Sequence, residues 1–316
     1  MTVRHASGVG RRIRRTLVAA TVAIGSYDRR TARACLALVR RFPRSGVRAR
    51  LYRNVSWPVA CAVDTTLEAR TPGGTMRVAT SEPFGRVVAV SGVWEPHVTD
   101  VVTRLLEPGD VCVDVGAHAG YYTLLASSLV GRGGRVYALE PASASFAALC
   151  DNLARNGVEN VTALQIAAGE RESTAELVEG EHGNSLLASV RARAADGSGG
   201  GETVLVRPVA GILRGEDAAR LRLVKIDVEG SESEVLRGLG SLLSGGGRMA
   251  LVIELAADRA EGGVRDDVLR LRDEGFRIRR IANEYDADSI FPSRPLAPLD
   301  VTTIPAGRCD LLLSRG

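Results

Sequence analysis

The stretch Val111-Cys112-Val113-Asp114-Val115-Gly116-Ala117-His118-Ala119-Gly120-Tyr121-Tyr122-Thr123 constrains the fold of this 316-residue chain more than any other segment. A short apolar run bounded by glycine reads as a buried strand. A strand that turns through glycine straight into a helix opens a parallel-sheet crossover unit. Gly116 can take a backbone conformation that a side chain would forbid, and its missing Cβ leaves room for a ligand to approach. Gly120 would let the helix pack tightly. In open parallel sheets ligands bind at the carboxyl ends of strands, where this turn lies.

From about residue 96 the chain repeats that alternation, the signature of a parallel sheet with crossover helices. Strands are predicted over residues 111–115, 135–139, 161–166, 222–227, 249–254, 276–281 and 309–314, and helices over 97–106, 119–130, 142–156, 208–219, 230–243 and 263–274. Ahead of this body, β-formers and turn residues over 59–93, including Thr71-Pro72-Gly73-Gly74 and the run 87–90, read as a small antiparallel element. The Gly/Ser-rich stretch 196–201 reads as a loop tip between two short strands. Three regions follow: an arm over 1–55, a β extension or cap over 56–95, and a catalytic domain over 96–316.

Residues 1–53 hold fourteen arginines and one acid, Asp28, for a charge of +13, so a chain whose net charge is +4 carries −9 beyond them. Arg11, Arg12, Arg14 and Arg15 precede an apolar run at 17–24. A basic arm of this kind suits anionic lipid, nucleic acid or an acidic partner; the plainer alternative is a solvated amphipathic helical pair covering one side of the core. The apolar run falls short of the roughly 20 residues of a membrane span and is followed by Asp28, Arg29, Arg30 and Arg33 without a convincing small-residue cleavage site. The expected location is cytoplasmic, with peripheral contact to anionic membrane through residues 1–53. Cysteines at 35, 61, 112, 150 and 309 are odd in number and form no CxxC, which fits unpaired buried thiols in a reducing compartment and argues against structural zinc.

The turn also says what it holds. A pyrophosphate fingerprint needs G-x-G-x-x-G, but position 118 is His, and the chain has no G-x-x-x-x-G-K-[ST] phosphate loop. A ligand without phosphates is the better match. The next predicted strand runs into Leu139-Glu140-Pro141, placing a carboxylate 24 residues after Gly116, where it can accept hydrogen bonds from both ribose hydroxyls of a nucleoside. The alternative for Glu140 is an acid favoured by the positive end of the following helix.

A second charged group lies in Leu223-Val224-Lys225-Ile226-Asp227-Val228-Glu229-Gly230. Strand alternation puts Lys225 and Asp227 on one side, near the open end of the sheet. Lys225 is the chain's one lysine beside 40 arginines, which suggests a use for a compact charge or a tunable amine. Asp227 is the preferred substrate-orienting or proton-accepting residue, followed by Glu229 and then Glu254. The competing reading is an Asp227–Lys225 ion pair with Glu229 serving a helix N-terminus. Asp227, Glu229 and Glu254 offer the hard oxygens that magnesium prefers. His118 is a further candidate base, or a residue that only hydrogen-bonds backbone.

Together, the segments at 113–123, 139–141 and 225–230 resemble those of the FkbM-type methyltransferases. Trp94-Glu95-Pro96, Asn156-Gly157-Val158-Glu159-Asn160-Val161 and Ala167-Ala168-Gly169 are also similar. The resemblance spans roughly residues 90–255 and leaves out residues 1–55. It implies an α/β fold, a Rossmann-like doubly wound methyltransferase sheet carrying the helical basic arm and the small β extension. It further implies S-adenosylmethionine as methyl donor and, commonly, a hydroxyl as acceptor. On the matching positions the donor would meet Asp114, Gly116 and Glu140, with His118, Gly120, Tyr122, Thr123 and Pro141 in the same two segments and Ala168 near the adenine. Many methyltransferases carry an acid beside the adenine; Ala167-Ala168 offers none, so backbone groups are expected there. The expected activity is O-methylation of a sugar or other small hydroxylated metabolite. An RNA methyltransferase using the basic arm is one rival, against which stand the 4% aromatic content and the absence of a [DNS]-P-P-[FYW] motif. A non-catalytic nucleoside-binding or membrane-associated scaffold is the other.

Overall fold

A computed structural model describes residues 65–178, 189–192, 201–213, 215–245, 248–255, 263–283, 290, 292, 295–305 and 307–315. The basic arm and most of the loop at 196–201 lie outside them. The chain divides into two compact units: one comprises residues 1–71, 77–96 and 285–294, the other the remainder.

Within the span read as a small antiparallel element, β1 (Thr66–Thr71) and β2 (Gly74–Ala79) pair into a two-stranded sheet. The run 87–90, expected to be extended, instead lies in helix α1 (Pro83–Ser91). Pro83 opens the helix, and Gly92 closes it at φ +72° with its N–H on the carbonyl of Val88. Phe84, Val87, Val88 and Val90 are all buried. The β-branched side chains cost a few tenths of a kcal/mol each in helix propensity, whereas burying one contributes about 1.5–3 kcal/mol. Packing wins over propensity.

The second unit begins its regular structure with α2 (Pro96–Leu105), β3 (Val111–Val115), α3 (Tyr121–Val130), β4 (Arg135–Leu139), α4 (Ser143–Arg155) and β5 (Val161–Leu164). There follow β6 (Ala167–Ala168), β7 (Ser173–Val178), β8 (Ser189–Ala192), β9 (Glu202–Arg207), and the short helices α5 (Val209–Ile212) and α6 (Glu216–Ala219). β10 (Leu221–Ile226), α7 (Glu232–Leu239), β11 (Ala250–Leu255), α8 (Val264–Asp273), β12 (Arg277–Ile281), β13 (Leu299–Asp300) and β14 (Cys309–Ser314) complete it. The main sheet has the order β13-β12-β14-β11-β10-β3-β4-β5. β5, β4, β3, β10 and β11 run parallel, and β14 is antiparallel to both β11 and β12. The strand sequence runs outward from β3 to β5 and then restarts on the other side of β3 with β10, so the switch point lies between β3 and β10. Crossovers of one hand on either side of that point place helices on both faces, which makes the fold the expected doubly wound sheet.

The central strands are covered on both faces: every residue of β3 and β11 is buried, as are Leu223, Val224, Lys225 and Ile226 of β10. Onto them pack Val235, Leu236 and Leu239 of α7 and Val268 and Leu271 of α8, each fully buried. Three expectations change. The helix over 208–219 is two short ones, parted by Gly215 at φ +44°. The helix over 230–243 starts at Glu232 and tightens after Gly240 into a 3₁₀ turn. The strand over 161–166 stops at Leu164, after which β6 joins a second, four-stranded sheet of order β6-β9-β7-β8 around a small core of Ala142, Ala167, Ala175, Leu177, Val204 and Val206. Among the described cysteines Cys112 and Cys309 are buried, but Cys150 is exposed.

Candidate functional site

β3 ends in a turn whose shape is set by Gly116 at φ +79°. A Cβ there would lie 1.9 Å from the carbonyl oxygen of Asp227, and the Asp227 N–H donates to the carbonyl of Val115 at 3.0 Å. The close approach expected of a ligand is thus made by the protein's own backbone, which locks the end of β10 against the end of β3. Gly120, at φ +89°, packs as expected: a Cβ would sit 2.6 Å from Cδ1 of Leu149 on α4. His118 adopts φ +48°, a region that His enters more readily than most side chains. The turn therefore keeps a left-handed step at 118 without glycine.

The His118 N–H donates to Oε2 of Glu140 at 2.7 Å, and the Ala142 N–H donates to Oε1 at 2.9 Å. Glu140 therefore ties the turn after β3 to the start of α4. Burial pushes its carboxyl above the usual range, opposed by His118 and by the two backbone donors. Each oxygen has a second lone pair, so these two backbone bonds and a ribose contact are compatible. Pro141 lies between the two anchored residues. Ala168 is buried in β6, registered against Arg207 of β9.

Asp114 is buried, and its Oδ2 accepts from the Thr123 hydroxyl at 2.6 Å. Its Oδ1 is buried without a hydrogen-bond partner. Burial raises its pKa, while Lys225 and Thr123 pull the other way. Register explains the Lys225 influence, since Lys225 of β10 pairs directly with Asp114 of β3. The Lys225 ammonium donates to Oδ2 of Asp227 at 2.6 Å and lies 4.5 Å from the ring centre of Tyr122. The ion pair of the competing reading is thus present, with a cation–π contact beside it.

Burial would raise the Asp227 carboxyl, but Lys225, a hydrogen bond to Glu254, and Arg308 hold it below the usual carboxylate value. The strand ends thus bring Asp114, Lys225, Asp227 and Glu254 together. Arg308, just before β14, was not among the expected site residues: its Nε donates to Oε1 of Glu254 and its Nη2 lies 3.8 Å from Oε1 of Glu229. Nothing in the sequence marks this arginine among forty. Among the described residues no group of three His, Cys, Asp or Glu side chains is arranged to hold a metal. Asp227, Glu229 and Glu254, where magnesium was expected as an option, are instead met by the cations Lys225 and Arg308.

The chain matches the family model of the methyltransferase FkbM domain over residues 114–278. It is 32% identical over 199 residues to the 31-O-demethyl-FK506 methyltransferase FkbM of Streptomyces tacrolimicus, a match spanning 55% of this chain and 75% of that protein. The chain belongs to the FkbM methyltransferase family. A shorter match, 36% identical over 93 residues, links 28% of this chain to 34% of the protein-L-isoaspartate O-methyltransferase of Aeropyrum pernix. The TYW2 protein of M. jannaschii in complex with AdoMet is a distant structural likeness, with a TM-score of 0.40 and 13% identity, covering 80% of this chain and 85% of that one. In this FkbM methyltransferase Asp114, Glu140, Lys225, Asp227, Glu229 and Glu254 all fall inside the matched segment, whereas Arg308 falls beyond it.

Proposed function

We propose that this methyltransferase moves a methyl group from S-adenosylmethionine to a hydroxyl oxygen of a sugar or another small hydroxylated metabolite. The observation that carries the reading is the unpartnered, buried Oδ1 of Asp114 at the switch point of the sheet. A buried carboxylate oxygen without a donor costs about 1–3 kcal/mol or more, and a ligand that brings a cationic or donor group offsets that cost. Asp114 and Glu140 would hold the donor's ammonium and ribose hydroxyls. No glycine cradle for phosphate competes with that assignment. The donor supplies a methyl group already activated by positively charged sulfur, so the protein's work is alignment and acceptance of a proton. Asp227, kept anionic by Lys225, is suited to orient the acceptor hydroxyl and take its proton. The relative from S. tacrolimicus carries a 31-O position in its name, which favours oxygen as the acceptor atom.

Glu140→Ala is expected to weaken donor binding by about 1.5–3 kcal/mol, the range for hydrogen bonds to a charged group. Calorimetry with S-adenosylhomocysteine measures it, and unchanged affinity in a folded variant would remove Glu140 from the donor site. The acceptor is sought by offering labelled donor to panels of hydroxylated metabolites and of RNA. Label appearing only on RNA would overturn the small-molecule reading.

The charge split of +13 over residues 1–53 against −9 beyond them supports peripheral contact with anionic membrane. No helix among the described residues is long and apolar enough to cross one. Deleting residues 1–40 is expected to leave donor affinity intact and to abolish sedimentation with phosphatidylserine vesicles at low salt. Loss of donor binding on truncation would instead make the arm part of the fold.

A further inference from the structure

We propose that the cavity between the β4–β5 face of the main sheet and helices α5 and α6 is a second small-molecule site, which takes an apolar monoacid with its carboxylate on Arg207. The site is separate from the groups assigned to methyl transfer and does not depend on a hydroxyl being the acceptor.

The cavity follows from the broken crossover. One continuous helix over 208–219 would cover the sheet here, but α5 and α6 have four residues each and are parted at Gly215. The face they leave is built by strand alternation. Tyr137 of β4 is registered against Thr162 of β5, the outermost strand at that end of the sheet, and Leu164 lies two residues further on the same side. Ile212 of α5 forms part of the opposite wall. Between them lies a volume of about 580 Å³, within the roughly 300–1,000 Å³ usual for small-molecule sites. Among the described residues, none assigned above to the donor or to the acceptor lines it. Arg135, which does, opens β4, and five residues of strand, about 16 Å, separate it from Glu140.

The charges on the walls select an anion of single charge. Arg135, Arg207 and Asp217 line the cavity and sum to one positive charge. Asp217 is taken up by contacts of its own: it accepts from the Tyr137 hydroxyl at 2.7 Å and from Arg220 at 2.8 Å, and Nε of Arg135 lies 3.5 Å away. Arg207 is held far less firmly. Its carboxylate partner is Glu172, at 4.0 Å and 77% exposed, and a solvated pair of that kind contributes little. The guanidinium fork is therefore available to a carboxylate, which it matches in shape as well as charge. A cation would be repelled by Arg207, and a dianion would meet Asp217. Residues 1–53, at +13, have the wrong sign to fill the space. The ring of Tyr137 with Leu164 and Ile212 offers an apolar bed for the rest of the ligand.

The probe is 2-naphthoate, with 2-naphthylmethanol as its uncharged counterpart, each titrated calorimetrically into the full chain with and without saturating S-adenosylhomocysteine. Naphthoate should bind more tightly than the alcohol, and its affinity should change by no more than about twofold when the donor product is present, as for independent sites. Arg207→Gln should weaken naphthoate by about tenfold or more, the loss of a hydrogen-bonded charge, and should spare both the alcohol and S-adenosylhomocysteine. Arg207 is half-exposed, so this variant keeps the fold. Thr162→Trp, which sets an indole into the space, should abolish binding of both probes. If naphthoate does not bind the wild type, or binds Arg207→Gln as well as the wild type, the site is overturned. Retained binding in a folded Thr162→Trp protein, or displacement of naphthoate by S-adenosylhomocysteine, would put the probe elsewhere and overturn it equally. Each of these results is read without turnover, so none of them bears on which atom is methylated.

Discussion

Replacing Asp227 by asparagine is expected to lower the rate of methyl transfer by roughly 10² to 10⁴, the range for a lost acid–base group. Donor affinity should remain within about 1 kcal/mol of the wild type. The separation follows from the strand ends. Asp227 leaves β10 and meets Lys225 and Glu254, whereas Asp114 and Glu140 sit at the ends of β3 and β4. The Asp227 contact to Gly116 is made by its main chain, so the substitution leaves the turn beside the donor intact. It does leave Lys225, which is buried, without its anionic partner, and such a change is destabilising. Urea unfolding of the variant is therefore measured beside its kinetics. A folded variant with full donor affinity and wild-type turnover would show that Asp227 serves Lys225 alone. Because the carboxylates are met by Lys225 and Arg308, wild-type turnover is also expected to persist in a chelator.

The parallel sheet was legible because its strands are short apolar runs closed by turn residues. The predicted spans 111–115, 135–139 and 309–314 coincide with β3, β4 and β14. Hydrophobic pattern locates such strands when both faces are covered, as they are here. It failed where burial was partial or one-sided. The second sheet rests on Ala142, Ala167, Ala175, Leu177, Val204 and Val206, a core too small to stand out from alanine-rich surroundings. The run 87–90 is helical because the burial of its three valines overrides their local β preference. At the site, glycine spacing pointed to the turn and strand ends pointed to Glu140, Lys225, Asp227 and Glu254. What those residues do to one another depends on register and on distance. Gly116 faces backbone of β10's continuation, and Arg308 reaches Glu254 from a strand that is remote in sequence and adjacent in the sheet. Neither fact has a local signature.

Glu232 shows the same limit and supplies the second large effect. In sequence it is an acid in the first turn of a helix, where the helix dipole favours negative charge. In the structure it is 2% exposed, and its Oε1 accepts from the Gly230 N–H at 3.1 Å. Burial, reinforced by Glu229 and Asp227 and only partly opposed by backbone donors, raises its pKa from 4.5 to about 7. In the unfolded chain Glu232 ionises near its ordinary value, whereas in the folded protein it holds its proton until about pH 7. Below pH 4.5 both states are protonated and the residue is neutral to stability. As pH rises toward 7 the unfolded state loses its proton first, and the folded state is progressively disfavoured. Above pH 7 the cost is constant, and a displacement of this size corresponds to about 3 kcal/mol. Glu232→Gln keeps an acceptor for Gly230 and cannot ionise. It is therefore expected to be more stable than the wild type by about 3 kcal/mol at pH 8 and equal to it at pH 4. Urea unfolding of both proteins at the two pH values gives the difference directly, and effects of the other carboxylates cancel between them. A difference that does not change between pH 4 and pH 8 would mean that Glu232 titrates alike in the folded and unfolded chains.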